Sequence, residues 1–117
     1  MIKKYTVLVL FLFLQTSAFS QNIGKAYFGG GCFWCMEESF EKFKGVIEVI
    51  SGYSGGKTKN PTYEEVTYLD TGHFETVEII YDKNIINYKN LLDHFWKNID
   101  PFDVIGQFCD KGYSYRS

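Results

Sequence analysis

The succession of hydrophobic patterns predicts a small α+β domain, a two-layer sandwich of ferredoxin-like type, truncated at its C-terminal end. Three observations carry that expectation. His73 to Asp82 alternates as a strand does, with Glu75, Val77, Ile79 and Tyr81 on one face. Phe33, Met36, Phe40 and Phe43 step by three, four and three residues, the signature of one helix face. The elements then follow in the order β-α-β-β-α, which suits helices packed against one sheet.

Residues 1–20 read as a secretory signal peptide rather than as part of the fold. Met1-Ile2-Lys3-Lys4 is a short positive segment, Val7 to Leu14 is apolar, and Ala18 and Ser20 offer the small residues of a cleavage site. A membrane anchor needs about 17–25 apolar residues, more than this run supplies. The expectation is an exported domain over residues 21–117, periplasmic or extracellular, with no stable membrane association.

In that domain Lys25 to Gly29 is a short strand ending in Gly29-Gly30-Gly31, and Phe33 to Lys44 is the first helix, stopped by Gly45. Val46 to Tyr53 is β-branched and partly alternating, a second strand, and Ser54 to Pro61 is a loop. After the strand at His73 to Asp82, Asn87 caps a helix with the stripe Tyr88, Leu91, Leu92, Phe95, Trp96 and Ile99, ended by Asp100-Pro101. Everything beyond Pro101 reads as loop. The chain stops at Tyr115-Arg116-Ser117 without a helix stop or polar tail, hence the expected truncation.

A net charge of -2 with scattered lysines and no basic stripe argues against nucleic acid as a partner. Three cysteines are an odd number for an exported protein, so at least one thiol is free or exchanges partners. Cys32 is the one placed to react. It follows a glycine run at a helix start, where unpaired amides and the positive end of the helix dipole favour the thiolate. Phe33 and Trp34 beside it can wall an apolar pocket.

Cys32 and Cys35 form a C-x-x-C pair with three readings: a thioredoxin-like dithiol, half of a zinc site, or a nucleophile with an incidental or resolving neighbour. Zinc is the weakest, since a structural site takes four ligands and only Cys109, His73 and His94 remain. No metal is expected. His94 reads as solvated and His73 as a turn or packing residue. Glu75 shares its strand face with apolar residues, which would raise its pKa and suit a general acid. Periodicity alone favours the plainer reading, a strand-end carboxylate reaching solvent. Tyr53, Tyr68 and Tyr113 read as packing residues.

Six ordered motifs narrow these readings. Gly31-Cys32-Phe33-Trp34, Gly52-Tyr53-Ser54-Gly55-Gly56, Asn60-Pro61-Thr62-Tyr63, Thr71-Gly72-His73-Phe74-Glu75, Asp100-Pro101 and Tyr115-Arg116-Ser117 together resemble the peptide methionine sulfoxide reductases of the A type. The resemblance implies Cys32 as nucleophile, Phe33 and Trp34 as the pocket for the sulfoxide methyl group, and Glu75 as the acid, helped by Tyr63 and Tyr115. Asp110 falls at a substrate-binding position. The implied reaction reduces methionine S-sulfoxide, free or in proteins, through a sulfenic acid and then a disulfide. A thioredoxin-like dithiol would supply electrons, with no cofactor, and the enzyme would act as a monomer.

Two departures from that family stand out. If Ser117 is the end, as the expected truncation has it, the C-terminal tail that often carries resolving cysteines is lacking and Cys109 and Cys35 are the expected substitutes; Cys109, next to Asp110, is the preferred resolver. Gln107-Phe108-Cys109-Asp110 also replaces the commoner Gly-Asn before the aspartate. A general thiol–disulfide oxidoreductase using Cys32 and Cys35, and an inactive truncated relic, are the rival readings.

Overall fold

A computed structural model describes residues 20–117, so the leader expected over 1–20 lies, but for Ser20, outside the described residues. The elements are β1 (Ile23–Phe28), α1 (Phe33–Glu41), β2 (Val46–Ser54), α2 (Tyr63–Tyr68), β3 (Phe74–Asp82), α3 (Tyr88–Trp96), β4 (Gly106–Gln107) and β5 (Asp110–Lys111), then a 3₁₀ turn at Tyr113–Tyr115. Among the described residues no helix is long and apolar enough to cross a membrane.

The alternation of β3 makes it the centre of the sheet. It pairs antiparallel with β1 on one side and β2 on the other, in the order β1-β3-β2. β1 and β2 therefore run parallel to each other, joined through α1, with β3 inserted between them. Val77, Ile79 and Tyr81 of β3 are buried with Ala26, Phe28 and Val49 from the flanking strands. The same cluster contains Met36 and Phe40 of α1 and Leu91 and Phe95 of α3. Both helices thus cover one face of the sheet, a mixed α/β arrangement. Phe28 is its pivot, stacked 5.6 Å from Phe40 and 4.9 Å from Phe95.

Several expectations are corrected. The first helix ends at Glu41 rather than Lys44, because the chain tightens there: the Phe43 amide donates to the Phe40 carbonyl at 2.9 Å. Gly45 follows at φ +95°, a conformation that favours glycine. His94 is half-buried rather than free in solvent. Its Nε2 lies 2.9 Å from the Ser39 carbonyl, and its ring packs on Phe40 and Phe43, so it ties α3 to α1.

α2 was unexpected, although its start is written in Thr62-Tyr63-Glu64-Glu65. Thr62 Oγ1 accepts from the Glu65 amide at 3.2 Å, and the Glu65 carboxylate accepts from the Thr62 amide at 2.7 Å, a reciprocal capping box. The segment after Pro101 is not all loop. Buried Gln107 accepts from the Asp100 amide at 2.6 Å and donates to the Asp100 carbonyl at 2.8 Å, which fastens the β4–β5 hairpin beneath α3. His73 behaves as a packing residue: its Nδ1 accepts from the Gly56 amide at 3.1 Å, holding the loop after β2.

Leu91 is fully buried between α3 and the sheet. Leu91→Ala should lower unfolding free energy in urea by about 2–5 kcal/mol. Thr62→Ala, which removes only the α2 cap, should lower it by about 1 kcal/mol.

Candidate active site

The glycine run after β1 brings the chain round to α1 in a turn that only glycine fits. Gly31 has φ +84°, and a Cβ there would lie 2.5 Å from Cβ of Gln107. Cys32 follows as the N-cap residue. Its carbonyl accepts from the amides of Cys35 and Met36, both at 3.1 Å, while its half-buried side chain makes no capping bond and is left available.

The next amide in the chain reaches across the fold. The Phe33 N–H, one of the unpaired donors of the first helical turn, donates to Glu75 Oε2 at 2.9 Å. Glu75 stands at the start of β3 on the core face and is 2 % exposed. The strand-end reading that periodicity favoured is therefore overturned. Burial pushes its carboxyl above the usual range, the Phe33 bond partly opposes that, and nearby Asp110 adds to it.

Aromatic rings wall the space beside this pair. Phe33 is buried, with the Trp34, Tyr53 and Tyr63 ring centroids at 5.3, 5.6 and 6.4 Å. Trp34 stacks on Tyr63 at 5.8 Å, and its exposed side makes it the outer wall. Tyr115 closes the opposite end. Burial first, then a hydrogen bond with Tyr63 and the charge of Glu75, hold its hydroxyl well above the ordinary tyrosine range. The Tyr115 phenol thus remains a proton donor.

On another side of Cys32 lies a cavity of about 420 Å³, lined by Cys32, Cys35, Met36, Phe108, Cys109 and Asp110 among others. All three thiols border it. Hydrogen bonding with Cys32, and then burial, push the Cys35 thiol up to about 11. The two residues of the C-x-x-C pair lie one turn apart, with the Cys35 amide bonded to the Cys32 carbonyl. Among the described residues no group of three or more His, Cys, Asp or Glu is arranged to hold a metal ion.

The fold thus gathers Cys32, Phe33, Trp34, Tyr63, Glu75, Asp110 and Tyr115 at one place, with Cys35 and Cys109 on the adjoining cavity. Residues 24–117 match the sequence model of a family described as peptide methionine sulfoxide reductase. The chain belongs to that family. Among similar proteins, the peptide methionine sulfoxide reductase MsrA of Ligilactobacillus salivarius is 54% identical over 91 residues, 78% of this chain and 53% of the relative. That of Bacillus subtilis is 52% identical over 92 residues, 79% of this chain and 52% of the relative. The methionine sulfoxide reductase A of Corynebacterium diphtheriae superposes with a TM-score of 0.77 at 35% identity, covering 80% of this chain and 44% of that one. Reduced Mxr1 of Saccharomyces cerevisiae gives 0.75 at 28% identity, over 81% of this chain and 57% of that one. The chain spans about half the length of the curated reductases it matches.

Within this reductase fold, Tyr53 packs as expected, its ring against Phe33 at the site. It lies directly across the β2–β3 ladder from Glu75, so its side chain shares the face of the acid. Tyr68 is 78% exposed, whereas Tyr113 packs at a tilt on Phe74, with the Arg116 guanidinium 3.8 Å from its ring centroid.

Burying Glu75 opposes its ionisation, which has a stability consequence of defined sign. A carboxyl raised in the folded state favours folding less as pH climbs through its unfolded value, and the penalty is complete above the folded value. Glu75→Gln keeps an acceptor for the Phe33 amide without the charge. It should unfold at higher urea than the parent near pH 8, with the difference shrinking toward pH 4.

Proposed function

We propose that the chain reduces the S epimer of methionine sulfoxide to methionine, free or within proteins. The observation that carries this is the hydrogen bond from the amide of Phe33, the residue next to Cys32, to the buried Glu75 carboxyl. A sulfoxide oxygen leaves poorly until it is protonated, so a thiolate nucleophile needs an acid in the same site.

In the proposed reaction the methyl group rests against Phe33 and Trp34, and Asp110 binds the substrate. The Cys32 thiolate attacks sulfur while Glu75, with Tyr63 and Tyr115 as donors, protonates oxygen. The S–O bond breaks with its electron pair on oxygen, which leaves as water. Water then attacks Cys32 Sγ, the sulfur–sulfur bond breaks with its pair on methionine sulfur, and methionine departs as Cys32 becomes a sulfenic acid. A second thiol then displaces water from the sulfenic acid to give a disulfide. We assign that role to Cys35, ahead of the Cys109 expected from the sequence, because Cys35 lies one helical turn from Cys32, its amide bonded to the Cys32 carbonyl, and both border the same cavity. An external thioredoxin-like dithiol restores both thiols by exchange, and no cofactor takes part.

The same pair supports a second reading, a general thiol–disulfide oxidoreductase, but that activity leaves Glu75 and the tyrosines without a task. The proposal also includes a monomeric, exported protein over residues 21–117 and a sandwich of ferredoxin-like type, supported by the leader pattern and by the insertion of β3 between β1 and β2.

Cys32→Ser should abolish reduction of an S-sulfoxide, and turnover retained by that variant would remove the proposal. Cys35→Ser should release about one methionine per protein without a reductant and leave a sulfenic acid that dimedone labels. A normal disulfide in that variant would return the resolving role to Cys109. Reduction of disulfides with no reduction of sulfoxides would establish the rival reading.

A further inference from the structure

We infer that Tyr53 is a positioning residue that seats the Phe33 ring and keeps water from Glu75 on the open side of the sheet. The inference extends the sulfoxide-reductase reading and rests on it for the role of Glu75. Its basis is the strand register. The β1 ladder ends at the Phe28–Val77 pair, so no β1 residue stands opposite Glu75. On the other side β2 is an edge strand, and Tyr53 is the residue of that edge directly opposite the acid. Side chains directly opposite in an antiparallel pair share a face, with Cβ atoms about 4.5–5.5 Å apart. Among the described residues no further strand lies beyond β2 to cover the carboxyl.

Tyr53 contacts the second partner of Glu75 as well. Its ring centroid is 5.6 Å from that of Phe33, the residue whose amide donates to the carboxylate. One side chain thus borders both the acid and the residue that holds it. The groups facing Glu75 are the Phe33 amide, Asp110, Tyr53 and Tyr115, with Tyr63 next to both tyrosines. Burial followed by the charge of Glu75 raises the Tyr53 hydroxyl too, which agrees with a shared, poorly hydrated space.

The test is the pH dependence of sulfoxide reduction, in which activity falls as pH rises through the pKa of the acid. Tyr53→Ala admits water, returns the carboxyl toward its ordinary value, and should move the descending limb of kcat/KM down by about one pH unit. Tyr53→Phe keeps the ring and should retain the parent profile. Tyr53→Leu, which preserves apolar bulk if the alanine variant unfolds, should shift the limb by less than Tyr53→Ala or, in its absence, still lower it against the parent. Infrared titration of the protonated-carboxyl band that Glu75→Gln removes reads the same pKa without turnover. An unchanged Glu75 titration in the folded Ala or Leu variant would overturn the inference, as would a full shift in Tyr53→Phe. Absence of sulfoxide turnover in the parent would instead count against the function, leaving the infrared result to decide this point.

Discussion

The hydrogen bond from the Phe33 amide to Glu75 joins parts of the chain that lie 42 residues apart, and the geometry of the site depends on it. The donor would otherwise be one of the orphan amides at the head of α1. The acceptor would otherwise be a buried carboxylate without a partner, which is unfavourable by several kcal/mol in apolar surroundings. Each group meets the other's need. The bond also ties the first turn of α1 to the start of β3, so the residue that follows Cys32 in the chain is the one fastened to the carboxyl. Helix docking and chemical arrangement are consequences of one contact.

The remaining constraints bring further chain to that point. Gly31 leaves the space that Gln107 occupies, and Gln107 in turn holds Asp100 by both its amide and its carbonyl. That clasp positions a hairpin too short to be stable alone, and with it Asp110 and the approach to Tyr115. The Thr62–Glu65 capping box does the same for Tyr63 by starting α2 at that residue. A reaction centre drawn from five segments is thus set by local turn and cap chemistry on a rigid three-stranded support.

Periodic patterns in the sequence predicted β2, β3, α3 and the core face of β3, because burial of a repeating face leaves a repeating trace. Non-periodic devices were harder to see. The hairpin after Gly106 depends on a glutamine side chain gripping backbone, and α2 is too short to show an apolar stripe. The Thr62-x-x-Glu65 spacing was nevertheless readable. For Glu75, alternation placed it on the inward face but could not say whether the core extended that far. That depended on Tyr53, Tyr115 and the Phe33 amide, which converge from three other segments. His94 and Tyr53 show the same limit: a residue type that is ordinary on a surface acquires its role from a partner distant in sequence.

Cys32 stands between two environments, and that separation gives the proposed reaction its order. The aromatic wall, Glu75 and the phenols provide protons and apolar cover, as departure of a sulfoxide oxygen requires. The cavity with Cys35 and Cys109 provides thiols and access, as disulfide exchange requires. A Cys35 thiol held at about 11 is protonated at neutral pH, so it does not compete with Cys32 as an initial nucleophile. Once Cys32 is a sulfenic acid, its electrophilic sulfur lies beside that thiol, and transfer of the thiol proton to the departing hydroxide accompanies S–S bond formation. The ionisation that would make Cys35 reactive is thereby coupled to the arrival of its target.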